Sequence, residues 1–230
     1  GEILVFSDVA TDMPPDAIRR LVANFADPKI GAVSSEDRFV AADGKIVGEG
    51  AYVRYEMALR RLESDVNSLV GLSGSFFAAR REVCAQWDIQ VPSDFNTALN
   101  CVRLGFVAVS DPDVVGYYRG ISDEKKEYQR KLRTVIRGMQ AIARLPVVLN
   151  PYKMKFFALQ VWSHKIMRWL VPWFLLVLFA VSLGLAHRHG IYLAALAAQL
   201  LFFSLGFITS SSELLLPHAA VTEAIFFVHV

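Results

Sequence analysis

Cysteine is scarce, with only Cys84 and Cys101 in 230 residues. Neither has companions at a metal-ligand spacing, which excludes a zinc site or a disulfide framework as the basis of the fold and leaves two small core residues. Internal repeats and low-complexity linkers are also missing. Charge is absent from two long runs, residues 169–186 (WLVPWFLLVLFAVSLGLA) and residues 190–208. Each could cross a hydrocarbon core of about 30 Å at about 1.5 Å per residue. Buried helices of soluble proteins rarely run so far without a polar face, so membrane spans are expected. Trp169 and Trp173 suit one interface, and His187, Arg188 and His189 suit a polar hairpin at the other. The interiors of the two runs hold no ionisable residue, which argues against a transporter.

Acidic residues almost vanish from one region. Residues 125–168 carry 11 Lys/Arg against a single Glu, whereas residues 1–124 carry 12 against 19 acidic residues. A basic block just before an apolar run places that end of the span in the cytoplasm, so a multi-pass inner-membrane protein with residues 1–168 cytoplasmic is expected. Such a block could also meet nucleic acid, but it carries no nucleic-acid-binding motif, and membrane lipids are the expected partner. No secretory leader pattern is evident. Gly1 stands nearly inside a strand and Val230 inside the apolar run AIFFVHV, so both ends are expected to be cut and a third span could lie there.

Strands and helices alternate in the first two thirds, which predicts an α/β layered domain. Residues 2–7 read as a buried strand ending at Ser7 and Asp8. Residues 14–25 read as a helix with Ile18, Leu21, Val22 and Phe25 on one face. Residues 30–34 read as a strand, 42–45 as a polar turn, and 49–65 as a helix with Tyr52, Tyr55, Leu59 and Leu62 at helical spacing. The glycine-punctuated GLSGSFFAARRE reads as a strand. A helix opens at Pro92–Asp94 with Phe95, Ala98, Leu99 and Val102 on one face, a strand follows at 106–110, and a basic helix at 124–145. Residues 146–168 are expected as an amphipathic helix in the membrane interface.

Taken in order, FSDVATDMPPDAIRRLVANFADPKIGAVSS, GEGAYVRYEMALRRLES, GLSGSFFAARRE, PSDFNTAL, EYQRKLRTVIRG and QVWSHKIMRWLVPW resemble the membrane-bound family-2 glycosyltransferases, the group of cellulose, hyaluronan and poly-N-acetylglucosamine synthases. The resemblance implies a GT-A-like domain at 1–145 followed by transmembrane helices at 169–230. It implies inverting transfer from a nucleotide-sugar, a UDP-sugar being expected, to a saccharide or lipid-linked acceptor. The family's nucleotide-binding strand and loop are expected to lie upstream of Gly1. A non-catalytic membrane subunit is the alternative.

Residue by residue, Asp8 matches the first position of the family's Asp-x-Asp motif and would hold a divalent cation, Mg²⁺ or Mn²⁺; the sequence continues Val9-Ala10, so the second carboxylate is missing. A Ser/Asp turn closing a strand is the plain alternative. Asp94 matches the aspartate of the Thr-Glu-Asp motif, the general base, and could equally be a helix N-cap. Arg130 and Arg133 fall at the Gln-x-x-Arg-Trp motif, which lines the donor diphosphate, here without its Gln and Trp. The segment Gly71, Ser73, Gly74 and Ser75 resembles the acceptor-side loop. His164 is expected as a hydrogen-bonded anchor rather than a catalytic group.

Overall fold

A computed structural model describes residues 1–40, 51–119 and 124–211. The expected turn at 42–45, the first residues of the 49–65 helix and the segment after 211 lie outside the described residues. The chain divides into two units, Gly1–His164 and Lys165–Val230.

The first unit is built on a five-stranded sheet, β1 (Ile3–Ser7), β2 (Thr11–Asp12), β3 (Ile30–Val40), β4 (Phe76–Arg80) and β5 (Val107–Arg119), in the order β1-β4-β3-β5-β2. β4 runs antiparallel to both β1 and β3, β3 pairs in parallel with β5, and β2 is antiparallel to β5. Successive strand residues point to opposite faces. Phe76 and Ala78 of β4, with Val33 of β3, therefore pack against Ala17, Leu21 and Phe25 on one side. Phe77, Ala79 and Ala32 pack against Val83, Ala98, Cys101 and Leu72 on the other. The expected layered α/β domain is present, with a helix layer on each face.

Helix α1 (Ala17–Ala23) begins three residues later than Pro14, and it buries Ala17 and Leu21 while Ile18 and Val22 stay exposed. α2 (Ala51–Val66) departs further from its expected face. Tyr55, Leu62 and Val66 are exposed, whereas Arg60 and Glu63 are buried. The reason is that its inward partners are polar: Arg60 Nη2 donates to the Gly71 carbonyl at 3.1 Å and Glu63 accepts the Val70 N–H at 3.2 Å. After the short α3 (Arg81–Cys84), α4 (Ser93–Arg103) buries most of its circumference and ends where Gly105 takes φ +85. The Phe106 N–H bonds back to Cys101 O at 2.8 Å and the Gly105 N–H to Val102 O at 3.1 Å, a Schellman closure that reverses the chain into β5.

Burial pushes the Cys84 thiol up to about 11 and Cys101 higher still, so both remain protonated core residues at neutral pH. The basic helix is α5 (Glu124–Arg144). Its last residue, Arg144, bonds Asp88 Oδ2 at 2.8 Å and also reaches Gln90, fixing the helix end to the loop before α4. The Gln90 N–H first, and then Arg144, hold the Asp88 carboxyl below its usual range.

Residues 146–168 are not one helix: a 3-10 turn at Pro146–Leu149 and α6 (Pro151–Met154) precede α7 (Phe156–Val161), which runs on through a π-helical turn at Trp162–Ile166 into the next helix. Lys155, at φ 51, breaks the path between α6 and α7. Phe157, Ala158, Val161 and His164 are buried, and contact within the first unit continues to His164.

The second unit contains α8 (Met167–Leu185) and α9 (Gly190–Ser211). Among the described residues, the continuous helix Phe156–Leu185 is the one long and apolar enough to cross a membrane, with a mean hydropathy of 2.0; Gly190–Gly206 is a shorter apolar helix. Pro172 is accommodated within α8.

Candidate active site

β1 and β4 are paired so that Ser7 lies opposite Phe76, which brings the end of β1 beside the loop that enters β4. The Asp8 N–H donates to the Ser75 carbonyl at 2.9 Å, and Thr11 Oγ1 donates to the same oxygen at 3.3 Å. Asp8 itself is exposed. It thus ends a strand with its backbone tethered and its carboxylate facing water.

The Ser73–Ser75 segment is held just as firmly from β3. That strand has an irregular register on β5 between Ser34 and Glu36. At this irregularity Ser34 Oγ accepts the Ser73 N–H at 2.7 Å. Three residues further on, Asp37 gathers the hydroxyls: Ser73 Oγ donates to Oδ1 at 2.5 Å, Ser75 Oγ bonds the same oxygen, and Ser35 Oγ lies 3.4 Å from it. Ser73 and Ser75 also approach each other at 2.7 Å. A carboxylate oxygen accepting several hydroxyl donors is a strong local organiser, because charge-assisted bonds are shorter and stronger than neutral ones.

Asp94 reaches the loop from the opposite element. Its helix α4 has Pro92 as N-cap, with no side-chain capping bond, and Asp94 stands within the first turn. The N-cap position itself is thus Pro92, and two residues inside it the Asp94 carboxylate benefits from the positive end of the helix. A Cβ added to Gly74 would lie 3.3 Å from Asp94 Oδ2. Gly74 is the residue that lets the carboxylate and the loop backbone sit side by side.

Of the residues expected at a site, Asp8, Ser73, Gly74, Ser75 and Asp94 meet at this sheet end, and Gly71 is fixed by Arg60. Arg130 and Arg133 are exposed on α5, a separate element. Sequence reasoning missed Asp37. Its signal was the polar SSEDR following a short apolar run, which reads as the end of a strand. His164 is buried between two glutamates, consistent with an anchor.

Among the described residues no three His, Cys, Asp or Glu side chains form a group that could hold a metal ion. A Mg²⁺-type cation is commonly bound by one or two carboxylates together with substrate phosphates and water. An exposed Asp8 at a strand end fits that donor set.

Set beside solved structures, the chain has the fold of a glycosyltransferase. One such structure is the mannosyltransferase PcManGT from Pyrobaculum calidifontis in complex with GDP-Man and Mn²⁺, 20% identical to this chain with a TM-score of 0.57. The likeness covers 98% of this chain and 55% of the mannosyltransferase, so the chain spans little more than half of that neighbour's length. No family model and no curated protein matches the sequence.

Proposed function

We propose that this chain carries the acceptor-side part of a membrane-bound, inverting glycosyltransferase that moves a sugar from a nucleotide-sugar to a saccharide or lipid-linked acceptor. The observation that carries the reading is the meeting of Asp8, the Ser73–Ser75 loop and Asp94 on a glycosyltransferase fold. Asp94 takes the proton of the acceptor hydroxyl as its oxygen attacks the anomeric carbon. The bond from that carbon to the diphosphate breaks on the opposite face, and the nucleoside diphosphate leaves with the electron pair. An α-linked donor then gives a β-linked product.

Asp8 would hold the divalent cation, which neutralises charge on the leaving diphosphate when bound. Arg130 and Arg133 are the guanidinium groups assigned to the same diphosphate, for which a planar fork of donors is suited. Ser73, Gly74 and Ser75 line the acceptor side, where glycine permits close approach of a sugar ring.

The long apolar helix and the basic residues before it support an inner-membrane location with the sheet on the cytoplasmic side. A UDP-sugar is the donor expected from the sequence resemblance, and the GDP-Man of the structural neighbour adds GDP-sugars to the test. The decisive experiment measures nucleoside diphosphate release from UDP- and GDP-sugars with Mg²⁺ or Mn²⁺, using membranes that contain the protein at its natural length. Release with one donor, lost in Asp94→Asn and on chelation, supports the transferase. Silence with every donor and acceptor favours a non-catalytic subunit, a reading motivated by the single carboxylate of Asp8-Val9-Ala10.

A finer test of the geometry is Gly74→Ala. Gly74 is exposed, so stability is expected to change by less than about 0.5 kcal/mol. The new methyl would crowd the Asp94 carboxylate by a few tenths of an ångström, and transfer is expected to fall about tenfold. Wild-type rates in this variant would show that Asp94 is not used in the position it occupies.

A further inference from the structure

Asp37 organises the Ser73–Ser75 end of the loop, and a second set of contacts holds its beginning. Glu63 of α2 is 5% exposed and accepts the Val70 N–H through Oε2 at 3.2 Å. Beside it Arg60, 8% exposed, donates to the Gly71 carbonyl at 3.1 Å. The other oxygen of Glu63 bonds His164 Nδ1, and His164 Nε2 lies 3.2 Å from Glu56 Oε1. Gln160 Nε2 donates to the Glu63 carbonyl at 3.4 Å while its Oε1 accepts from Asn67 at 3.0 Å.

Such a cluster is costly to bury, and removing one member leaves another without its partner. Two features suggest that the cost has a purpose. α2 turns Arg60 and Glu63 inward although Tyr55, Leu62 and Val66 face solvent, a departure from an ordinary amphipathic helix. His164 is also the middle residue of the π-helical turn Trp162–Ile166, a rare geometry that recurs where a side chain must be held in an unusual register.

We propose that His164 is a positioning residue for the acceptor loop, acting through Glu63. By orienting the Glu63 carboxylate it fixes the Val70 N–H and, with Arg60 on Gly71, sets where Ser73, Gly74 and Ser75 stand against Asp94. The inference rests on the transferase reading. It means that the segment leading into the apolar helices, and not the sheet alone, determines how the acceptor is received.

The test uses the full-length protein in membranes with His164→Ala, Glu63→Ala and Glu63→Gln. Kinetics are measured with a varied acceptor, whichever of cellotetraose or a short polyprenyl phosphate the wild type glycosylates. The acceptor KM is expected to rise about tenfold in His164→Ala and Glu63→Ala with the donor KM unchanged. Glu63→Gln retains an oxygen for the Val70 N–H and should stay within about threefold of wild type.

A fall in thermal midpoint with both KM values moving together, or equal damage from Glu63→Gln and Glu63→Ala, would mark a purely structural network and overturn the proposal. If the wild type turns over no donor, the transferase reading fails on its own account. Amide hydrogen exchange over Val70–Ser75 then decides the mechanical part. Faster exchange confined to that loop in His164→Ala supports the positioning role, and unchanged exchange overturns it.

Discussion

Asp94→Asn is expected to lower sugar transfer about a thousandfold while leaving the domain folded. The amide keeps the shape of the side chain but cannot take a proton from the attacking hydroxyl. The helix need not suffer, because the N-cap of α4 is Pro92 and Thr97 Oγ1 separately bonds the Ser93 carbonyl at 2.6 Å. Loss of a negative charge from the first turn costs about 0.3–1 kcal/mol, a change readable as a small shift in thermal midpoint. Donor affinity should be nearly untouched, so the defect belongs in kcat. Retention of wild-type turnover would remove Asp94 from the mechanism and with it the argument for inversion.

Gly31→Ala is the substitution expected to harm the fold most. A Cβ at this buried position would stand 2.5 Å from Phe106 Cβ, 2.9 Å from Phe106 Cγ and 3.0 Å from Cys101 Sγ. Rotating Phe106 about its own side-chain bonds moves the ring but not its Cβ, so relief requires a shift of backbone in β3 or in the turn after α4. Overpacking of this kind costs about 3 kcal/mol, a large part of a typical domain's stability. Denaturant titration should show the midpoint falling with little change in slope. An unaltered midpoint would mean that β3 and the end of α4 are looser than their contacts imply.

The strand at Ile3–Ser7, the helices α4 and α5, and the apolar helices were legible because local periodicity and capping residues specify them. The long arms of β3 and β5 were not. Residues 36–40 and 115–119 are polar or mixed in character, and only their pairing across the chain makes them strands. The same limitation hid Asp37: the SSEDR segment has the composition of a turn, and its meaning appears only when Ser73 and Ser75 arrive from another strand. α2 misled for a different reason. Its Tyr55 and Leu62 match a helical apolar stripe, but the surface it covers offers a histidine and loop amides, so the polar stripe is the one buried. Asp8, Asp94 and the serine-glycine loop were singled out by the ordered resemblance to glycosyltransferases, because each segment alone reads as a strand-closing turn, a helix N-cap or a glycine turn.

The parallel pairing of β3 with β5 also governs the order in which the molecule can be assembled. Ile30 cannot find Val107 until α2, β4 and α4 have all been synthesised, so the middle of the sheet closes late and its loop-closure entropy is paid in one step. Every strand among the described residues nevertheless precedes the apolar helices in the chain. On a ribosome the sheet is therefore translated before α8 and α9, which need not supply any of its strands. A mutation that slows closure of the β3–β5 pair would leave an open sheet edge exposed as the apolar helices follow, and aggregation during synthesis would be its characteristic failure.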